Sequence, residues 1–506
     1  MKGDTKIPED IKKYVPEPCC RIRMINGTYY VNKYQAVKLP SGKWSSSNGY
    51  AIGKIIPGEG FCPNKRYLLE TAARKETSDQ VQLSSDVITD VAYGQYDLLM
   101  KLSEDIYTKL QQYFAGERAA QIYCYALILC ANGMTYIDQI DEYYQESFLS
   151  LRFRNYSFKM GYDALSSLLH DLGMRGNPIR CFEQSMIDNS SKNIAIDGHV
   201  IRSCSENNDL ADAGYKMSLL KAPQVNLLIA YDINSKMPLL YRTFRGSSVD
   251  KCSVIELLES RSFKDTKFVV DRGFYAEKAL DIMSSNGNCY IIPVQSNNKY
   301  FKKIKESLTY STGEFIYVTE SNTSARIVYQ EEPISEGKRL IVFKDEDENN
   351  SKRKSYKLMM ECNENGYTQE NYEKYRDWWG VYCLETTCDE SAPEIFKDYK
   401  NRWSIETYNN YVKNDAHFNN LKIQDYYVEH GFDFIMLVTG IIHSRLNDAV
   451  KKIGRPSIST HDILIKAGHL RMVLDENQWS LRNRRTKDID LLLEAGFTPY
   501  YSYPTA

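Results

Sequence analysis

Three carboxylates stand in the chain where a folded protein would gather them. Asp197 follows an apolar run in Ile194-Ala195-Ile196-Asp197-Gly198-His199, and Asp271 follows another in Phe268-Val269-Val270-Asp271-Arg272-Gly273. An acid at the carboxyl end of a buried strand, with glycine close behind, sits at the rim of a sheet, where open α/β sheets carry their sites. Glu406 belongs to a third element, a helix expected over 392–415, in which Tyr399, Arg402, Glu406 and Lys413 recur at offsets of 0, 3, 7 and 14. At ~100° per residue the four fall within roughly 60° of arc, on one face. Asn410 and His417 lie on the same stripe, and the flanking Trp403 and Ile405 read as buried. Three oxygen donors without a Cys or His cluster suit hard cations, and a pair of Mg²⁺ ions would serve an in-line displacement. Taken singly, each acid could equally start a turn, and the helix stripe could be a solvated, ion-paired face.

The elements that must position these groups follow from periodicity. Residues 193–197 read as a short strand, 225–232 and 237–244 as a hairpin, 252–260 as a helix, 267–270 as a strand, 275–284 as a helix and 289–294 as a strand. That alternation indicates an α/β fold with a sheet of mixed direction. Residues 295–377 break the rhythm with short β-like runs at 315–319, 326–331, 339–343 and 356–362 and a charge-dense loop at 344–354, as a β-rich insertion would. A strand at 380–387 precedes the Glu406 helix, and 432–450 is a further helix. Before the sheet, 96–114, 117–131 and 162–172 carry apolar residues at helical spacing.

Composition bounds the rest. The chain has 506 residues, 42% hydrophobic and 26% charged, with a net charge of -2, which excludes wholesale disorder and a multi-span membrane protein. Twelve scattered cysteines without a C-x-x-C suggest reduced thiols in a cytosol, and no apolar leader opens the sequence. Charge is uneven, however. Between Cys19 and Arg66 stand eight basic residues against the single acid Glu59, interleaved with Tyr29, Tyr30, Tyr34, Trp44 and Tyr50. A basic, aromatic, turn-rich segment points to a small β module that contacts nucleic acid, with a solvated sheet face as the plain alternative.

Tyr399-x2-Arg402-x3-Glu406-x6-Lys413 resembles in full the Tyr-Arg-Glu-Lys signature of the insertion-sequence DDE transposases, the IS-four superfamily. Asp197 and Asp271 look like that family's first two acids, and Arg245-Gly246-x3-Asp250 like its Gly-x-x-x-Asp element. His199 departs from the small or hydroxyl residue common after Asp-Gly. The resemblance implies an RNase H-like catalytic core, a mixed sheet flanked by helices and interrupted by the β-rich insertion. It assigns 1–80 to a basic β-rich N-terminal module, 81–190 to a helical domain, 191–295 and 380–450 to the two parts of the core, 296–379 to the insertion and 451–506 to a C-terminal helical region.

It further implies a DNA transposase that binds the ends of its element and cleaves and joins DNA with two Mg²⁺ ions, Mn²⁺ being able to substitute. Asp197, Asp271 and Glu406 would hold the metal. Arg402, Lys413, Tyr399 and Arg272 would contact phosphates. Trp378, Trp379 or Tyr382 would stack on an extruded base, unless the two tryptophans are core of the insertion. Partners would be transposon-end and target DNA and a second copy of the chain, with no membrane, in a bacterial cytoplasm and on the nucleoid. A plain nuclease on the same fold and a DNA-binding relic that no longer cuts are the competing readings. The full signature weighs against the first and the three intact acids against the second.

Overall fold

A computed structural model describes residues 7–16, 20–25, 27–38, 44–65, 67–68, 90–133, 135–203, 205, 208–214, 223–295, 298–319, 322–412, 420–421, 423–475, 478–482, 486–497 and 502–504. The chain divides into two units, 1–87 and 88–506.

The first unit is a four-stranded antiparallel sheet in sequence order, β1 (Cys20–Ile25), β2 (Thr28–Lys38), β3 (Trp44–Ile56) and β4 (Gly60–Pro63). Period-two alternation turns Ile22, Val31 and Ile55 toward a small core shared with Ile11, a register shift at Ile52 brings that residue to the same core, and Arg21 and Arg23 are left exposed. Arg23 pairs across the ladder with Tyr30, and Tyr30 with Lys54, so a basic–aromatic–basic row crosses the outer face.

The second unit opens with β5 (Asp90–Ala92) and a set of helices, Gly94–Leu102, Glu104–Tyr113, Gly116–Asn132, Tyr162–Met174 and Asn177–Asp188. The expected helix over 96–114 is two, broken at Ser103, whose hydroxyl bonds the Leu99 carbonyl at 2.6 Å and the Tyr123 hydroxyl at 2.7 Å. A side chain that bonds the backbone in this way competes with the helix ladder.

The main sheet is built from β6 (Asn193–Ser203), β7 (Asp212–Ala213), β8 (Pro223–Asp232), β9 (Met237–Arg245), β10 (Lys267–Val270), β11 (Cys289–Pro293), β12 (Gly313–Val318), β13 (Ser324–Ser335), β14 (Lys338–Asp345), β15 (Val381–Thr386) and β16 (Asn420–Leu421). Its centre runs β9-β8-β6-β10-β11, with β8 antiparallel to its neighbours and β6, β10 and β11 parallel. The strand expected to end at Asp197 continues to Ser203, because β8 pairs with it from Asp232 to Gln224. A long partner carries the ladder through the polar Asp-Gly-His, which local propensity alone would terminate.

The insertion, expected to be β-rich, is mixed: strands β12, β13 and β14 are accompanied by helices Lys299–Lys305, Glu346–Glu361 and Gln369–Tyr375, and its strands do not form a separate sheet. β14 pairs with β15 and β15 with β11, so the insertion strands extend the central sheet. Residues 346–361 correct two expectations, the loop at 344–354 and the strand at 356–362: they form one helix. Asp345 caps it, accepting the Glu348 N–H at 2.8 Å, and Glu346, Asp347 and Glu348 fill its first turn, a charge pattern that favours a helix N-terminus. The C-terminal region is not wholly helical either. Helices Thr460–Gly468 and Thr486–Glu494 accompany β17 (Arg471–Asp475), β18 (Gln478–Arg482) and β19 (Ser502–Pro504), and β17 recruits the distant β5.

Helix Tyr426–Lys452 packs against Tyr162–Met174, Gly116–Asn132 and β9. A Cβ at Gly431 would strike the Leu169 backbone, so glycine is what lets the two helices approach. Asp433 interrupts the apolar run of this helix and is satisfied there, accepting from the Thr243 N–H at 2.9 Å and its hydroxyl at 2.7 Å. Among the described residues no helix is long and apolar enough to cross a membrane.

Glu429 on the same helix is buried. One carboxyl oxygen faces Asn208 Nδ2 at 3.3 Å and the other has no hydrogen-bond partner among the described residues. Burial, aided by the Asp433 charge, pushes its pKa from 4.5 up to about 8. The folded state thus keeps a proton that the unfolded chain releases, and this contribution to stability is lost as pH climbs from 4.5 through about 8. Glu429→Gln, which mimics the protonated group, is expected to match the parent's melting temperature at pH 5 and to exceed it by several degrees at pH 8.5 in thermal melts.

Candidate active site

The three acids come from three elements. Asp197 lies in the middle of β6, where burial of Ile194, Ala195 and Ile196 gives way to a half-buried stretch. Asp271 follows the last residue of β10 in extended backbone and opens the short 3₁₀ turn Arg272–Phe274. Glu406 is on the signature helix. That helix, expected as one piece over 392–415, is two: Ala392–Asn401 and Trp403–Asn410. Arg402 at the junction keeps helical angles, and the Ile405 N–H donates to its carbonyl at 3.0 Å in a tightened turn, so the single polar face survives the break.

Arg402 is the hub. Its Nη2 donates to Glu406 Oε1 at 2.7 Å, and its guanidinium carbon lies 5.8 Å from the centre of the Tyr399 ring. Burial lowers the guanidinium's proton affinity, but the Tyr399 hydroxyl and the charges of Glu406, Asp271 and Asp197 outweigh it, leaving the pKa raised. Asp197 reports the opposite balance. Burial pushes its carboxyl up and the charges of Asp271 and Glu406 add to the push, against the Gly198 N–H and Arg402. Tyr399 is raised in the same way, by burial first and then by Asp271 and Glu406 against Arg402. One guanidinium therefore feels three carboxylates and a phenol, and among the described residues its Nε has no hydrogen-bond partner.

Two further groups belong to this cluster. Asn409, buried three residues beyond Glu406, donates through Nδ2 to Asp197 Oδ2 at 2.6 Å, while the Gly198 N–H donates to Oδ1 at 2.9 Å. The sequence reading passed over Asn409 in favour of its neighbour Asn410; its position one turn from Glu406 was the available signal. Asp250 is the second. A Cβ on Gly198 would come within 4.0 Å of one of its carboxyl oxygens, and a Cβ on Gly273 within 3.7 Å of the other. The loop before it is pinned by Asn226, whose Nδ2 reaches the Gly246 carbonyl at 3.2 Å and the Ser248 carbonyl at 2.9 Å. Asp250 thus lies beside the glycines that follow both strand acids.

The remaining candidates fall as follows. Arg272 is exposed, next to Asp271. Trp403 is 64% exposed rather than buried, because the stripe that packs inward runs through Ile405, Tyr408 and Asn409. Trp378 and Trp379 are packed within the insertion: Trp378 against Phe301 with Lys305 Nζ 4.2 Å from its ring centre, and Trp379 against Tyr356 and Tyr372 at 5.1 and 5.8 Å. Tyr382 on β15 stands nearer the signature helix, 6.3 Å from Tyr399. Lys413 and His417 lie outside the described residues.

The donor set is all oxygen, from half-buried carboxylates, and this is the chemistry a hard divalent cation prefers. Asp197, Asp271 and Glu406 are the residues that would hold it, but their oxygens do not all lie within 4.8 Å of one another, so the carboxylates have to draw together around an ion.

Residues 189–482, more than half of the chain, match the family model described as the transposase DDE domain. Among solved structures, a piggyBac transposase synaptic complex with hairpin DNA is similar at a TM-score of 0.37 and 10% identity, over 75% of this chain and 80% of that one. No curated protein matches the chain.

Asn409 aims Asp197, and loss of such an aiming group typically costs ~10–100-fold in metal affinity. Asn409→Ala is expected to weaken Mn²⁺ binding by about tenfold in calorimetric titration, with an unchanged far-ultraviolet circular dichroism spectrum.

Proposed function

Since the chain belongs to the transposase DDE-domain family, and is a DDE transposase acting on DNA, we propose that Asp197, Asp271 and Glu406 form its metal-dependent cleavage and strand-transfer centre. The observation that carries this reading is that the buried Arg402 bonds Glu406 and feels the charges of Asp271 and Asp197, each acid coming from a different element. The family generally uses divalent cations, and Mg²⁺ is the ion proposed here, as a pair, with Mn²⁺ as substitute. What the bound cations supply is charge, which favours in-line attack of water or a 3′-hydroxyl on a phosphodiester.

The chain's own residues do the rest. Asn409 and the Gly198 N–H fix the Asp197 carboxylate so that one face is left for a ligand. Arg402 offers a two-pronged donor; it holds Glu406 in place and would turn part of its fork to a scissile phosphate. Tyr399 adds a hydroxyl, Arg272 a cation at the exposed rim and Lys413 a further one. The exposed Trp403 offers a flat face to an unstacked base, a role for which the packed Trp378 and Trp379 have less free surface. The strand order β9-β8-β6-β10-β11 supports an RNase H-like core, and the six-part division of the chain remains our reading of its organisation.

End binding is assigned to the N-terminal sheet, on the row Arg23–Tyr30–Lys54, and we take the working unit to be a homodimer, since two ends must be paired before joining. The C-terminal basic residues Arg471, Arg482, Arg484, Arg485 and Lys487 are the other candidate that the sequence offers, and of these Arg471 is less free for DNA, because it is ion-paired with Asp90 at 2.5 Å. A bacterial cytoplasm with nucleoid association completes the proposal.

The test is incubation of the purified protein and Mg²⁺ with a labelled duplex from the flanks of its gene, beside Glu406→Gln. Cleavage at a fixed nucleotide, abolished by the substitution, is expected. Cleavage that survives the substitution would move the active site elsewhere, and binding without cleavage by either protein would favour a DNA-binding relic. Trp403→Ala is expected to weaken binding to a single-stranded end by ~1–3 kcal/mol in fluorescence anisotropy, while leaving affinity for intact duplex within about twofold.

A further inference from the structure

At the other end of the central sheet from Asp271 stands a pair of thiols that the transposition chemistry does not use. Cys289 opens β11 and Cys388 lies two residues past the end of β15. Ile291 and Thr386 are ladder partners in this antiparallel pair, so Cys289 and Cys388, each two residues outward, face one another on the same side of the sheet. The Cys388 thiol donates to Cys289 Sγ at 2.8 Å. Opposed residues on antiparallel strands hold their Cα atoms roughly 4.5–5.5 Å apart, within the span of a disulfide. Both cysteines are free, Cys289 half-buried and Cys388 buried.

Their surroundings favour reaction at Cys289. Lys267 lies opposite Cys289 in the parallel β10–β11 ladder, with its ammonium held by Glu390 at 2.6 Å and Asp398 at 2.7 Å. The hydrogen bond from Cys388 holds the Cys289 thiol below its ordinary pKa against burial and the charges of Glu390 and Asp389, with Lys267 on its side. The same hydrogen bond, with burial, pushes Cys388 up. A more accessible, more acidic thiol beside a buried partner is the arrangement of an attacking and a resolving cysteine. Glu390 lies close enough to join the two sulfurs around a cation, but its carboxylate is already paired with Lys267.

We propose that Cys289 and Cys388 form a reversible oxidation site for hydrogen peroxide, closing to a disulfide that ties β11 to β15 across the root of the insertion. In the first step the Cys289 thiolate attacks the peroxide: an S–O bond forms, the O–O bond breaks, and hydroxide leaves and is protonated, giving a sulfenic acid. In the second step Cys388 sulfur attacks that sulfur: the S–S bond forms, the S–O bond breaks, and water leaves with the Cys388 proton. The two thiols lose two electrons and the peroxide becomes two waters. A dithiol such as dithiothreitol reverses the change by exchange. The closed loop encloses β12, β13 and β14 and the three helices Lys299–Lys305, Glu346–Glu361 and Gln369–Tyr375, and its second anchor stands three residues before Ser391, which caps the helix leading to Arg402.

The full-length protein, treated with hydrogen peroxide, blocked with N-ethylmaleimide and digested without reductant, is read by mass spectrometry. The expected product is one cross-linked peptide pair joining Cys289 and Cys388, about 2 Da lighter than the two thiols, enriched at least ~10-fold over any other pairing and lost on dithiothreitol treatment. Cys388→Ser is expected to leave Cys289 as a sulfenic acid trapped by dimedone, and Cys289→Ser to leave Cys388 alkylatable after denaturation. Wild-type protein in which both thiols stay alkylatable, or in which cross-links scatter over the other cysteines, would overturn the proposal. So would stoichiometric zinc in the purified protein that Cys388→Ser removes, since the thiolates would then be ligands.

Discussion

Like charges must be held together at one end of the sheet, and the rest of the molecule answers to that requirement. Burial first, and then the charges of Asp271 and Glu406, push the Asp197 carboxyl up. No single element could supply all three in a usable arrangement. A strand interior, a strand end and a helix face each contribute one, and each is fixed by packing some distance from the carboxylate itself. Arg402 is the counter-charge that the chain carries in its own sequence, one helical turn before Glu406. It is buried enough to act strongly and too small in charge to neutralise the group, which leaves room for cations.

The helix that carries Arg402 and Glu406 has to be held without a continuous hydrogen-bond ladder across Arg402, and the holding comes from its inward stripe. Ile405 is fully buried, and the Tyr408 hydroxyl bonds that of Tyr241 on β9. Helix Tyr426–Lys452 passes behind, where Gly440 makes space: a Cβ there would collide with the Tyr408 hydroxyl. The same long helix is anchored to β9 through Asp433 and Thr243. Sheet, signature helix and long helix therefore meet at β9, so the buried polar groups of that layer act to set the height of Glu406 over the strands.

The acids, the helix stripe and the mixed α/β sheet were legible in the sequence because each depends on local pattern: an apolar run ending in an acid, or a period of 3.6. What escaped depends on partners far along the chain. β6 outruns Asp197 because β8 continues beside it, and β5 is a strand because β17, almost four hundred residues later, pairs with it. Residues 346–361 have too little apolar surface to show helical periodicity, and the N-terminal acids and the Asp345 cap decide their state. Trp403 looked buried because tryptophan usually is, but a helix with a polar face toward the acids and an apolar one toward Tyr241 has only its flank left for it. Asn409 was overlooked because a buried amide aimed at a carboxylate has no signature apart from its distance along the helix.

The extension of the sheet by the insertion joins the outer part of the molecule to the acids mechanically. β15 is shared, pairing with β11 on one edge and β14 on the other, and Thr386 faces both Ile291 and Arg339. On that strand the Tyr382 hydroxyl donates to Glu348 of the insertion helix and accepts from Lys400 Nζ at 2.7 Å, two residues before Arg402. Burial presses the Lys400 ammonium toward its neutral form, and the charges of Glu348 and Asp345, both at the start of the insertion helix, oppose it. Moving that helix away would leave a buried cation short of its counter-charges at the junction where the signature helix turns. The insertion helix and the Arg402 hub are in this way bound by one electrostatic account, and a DNA contact that displaced the first would be felt by the second.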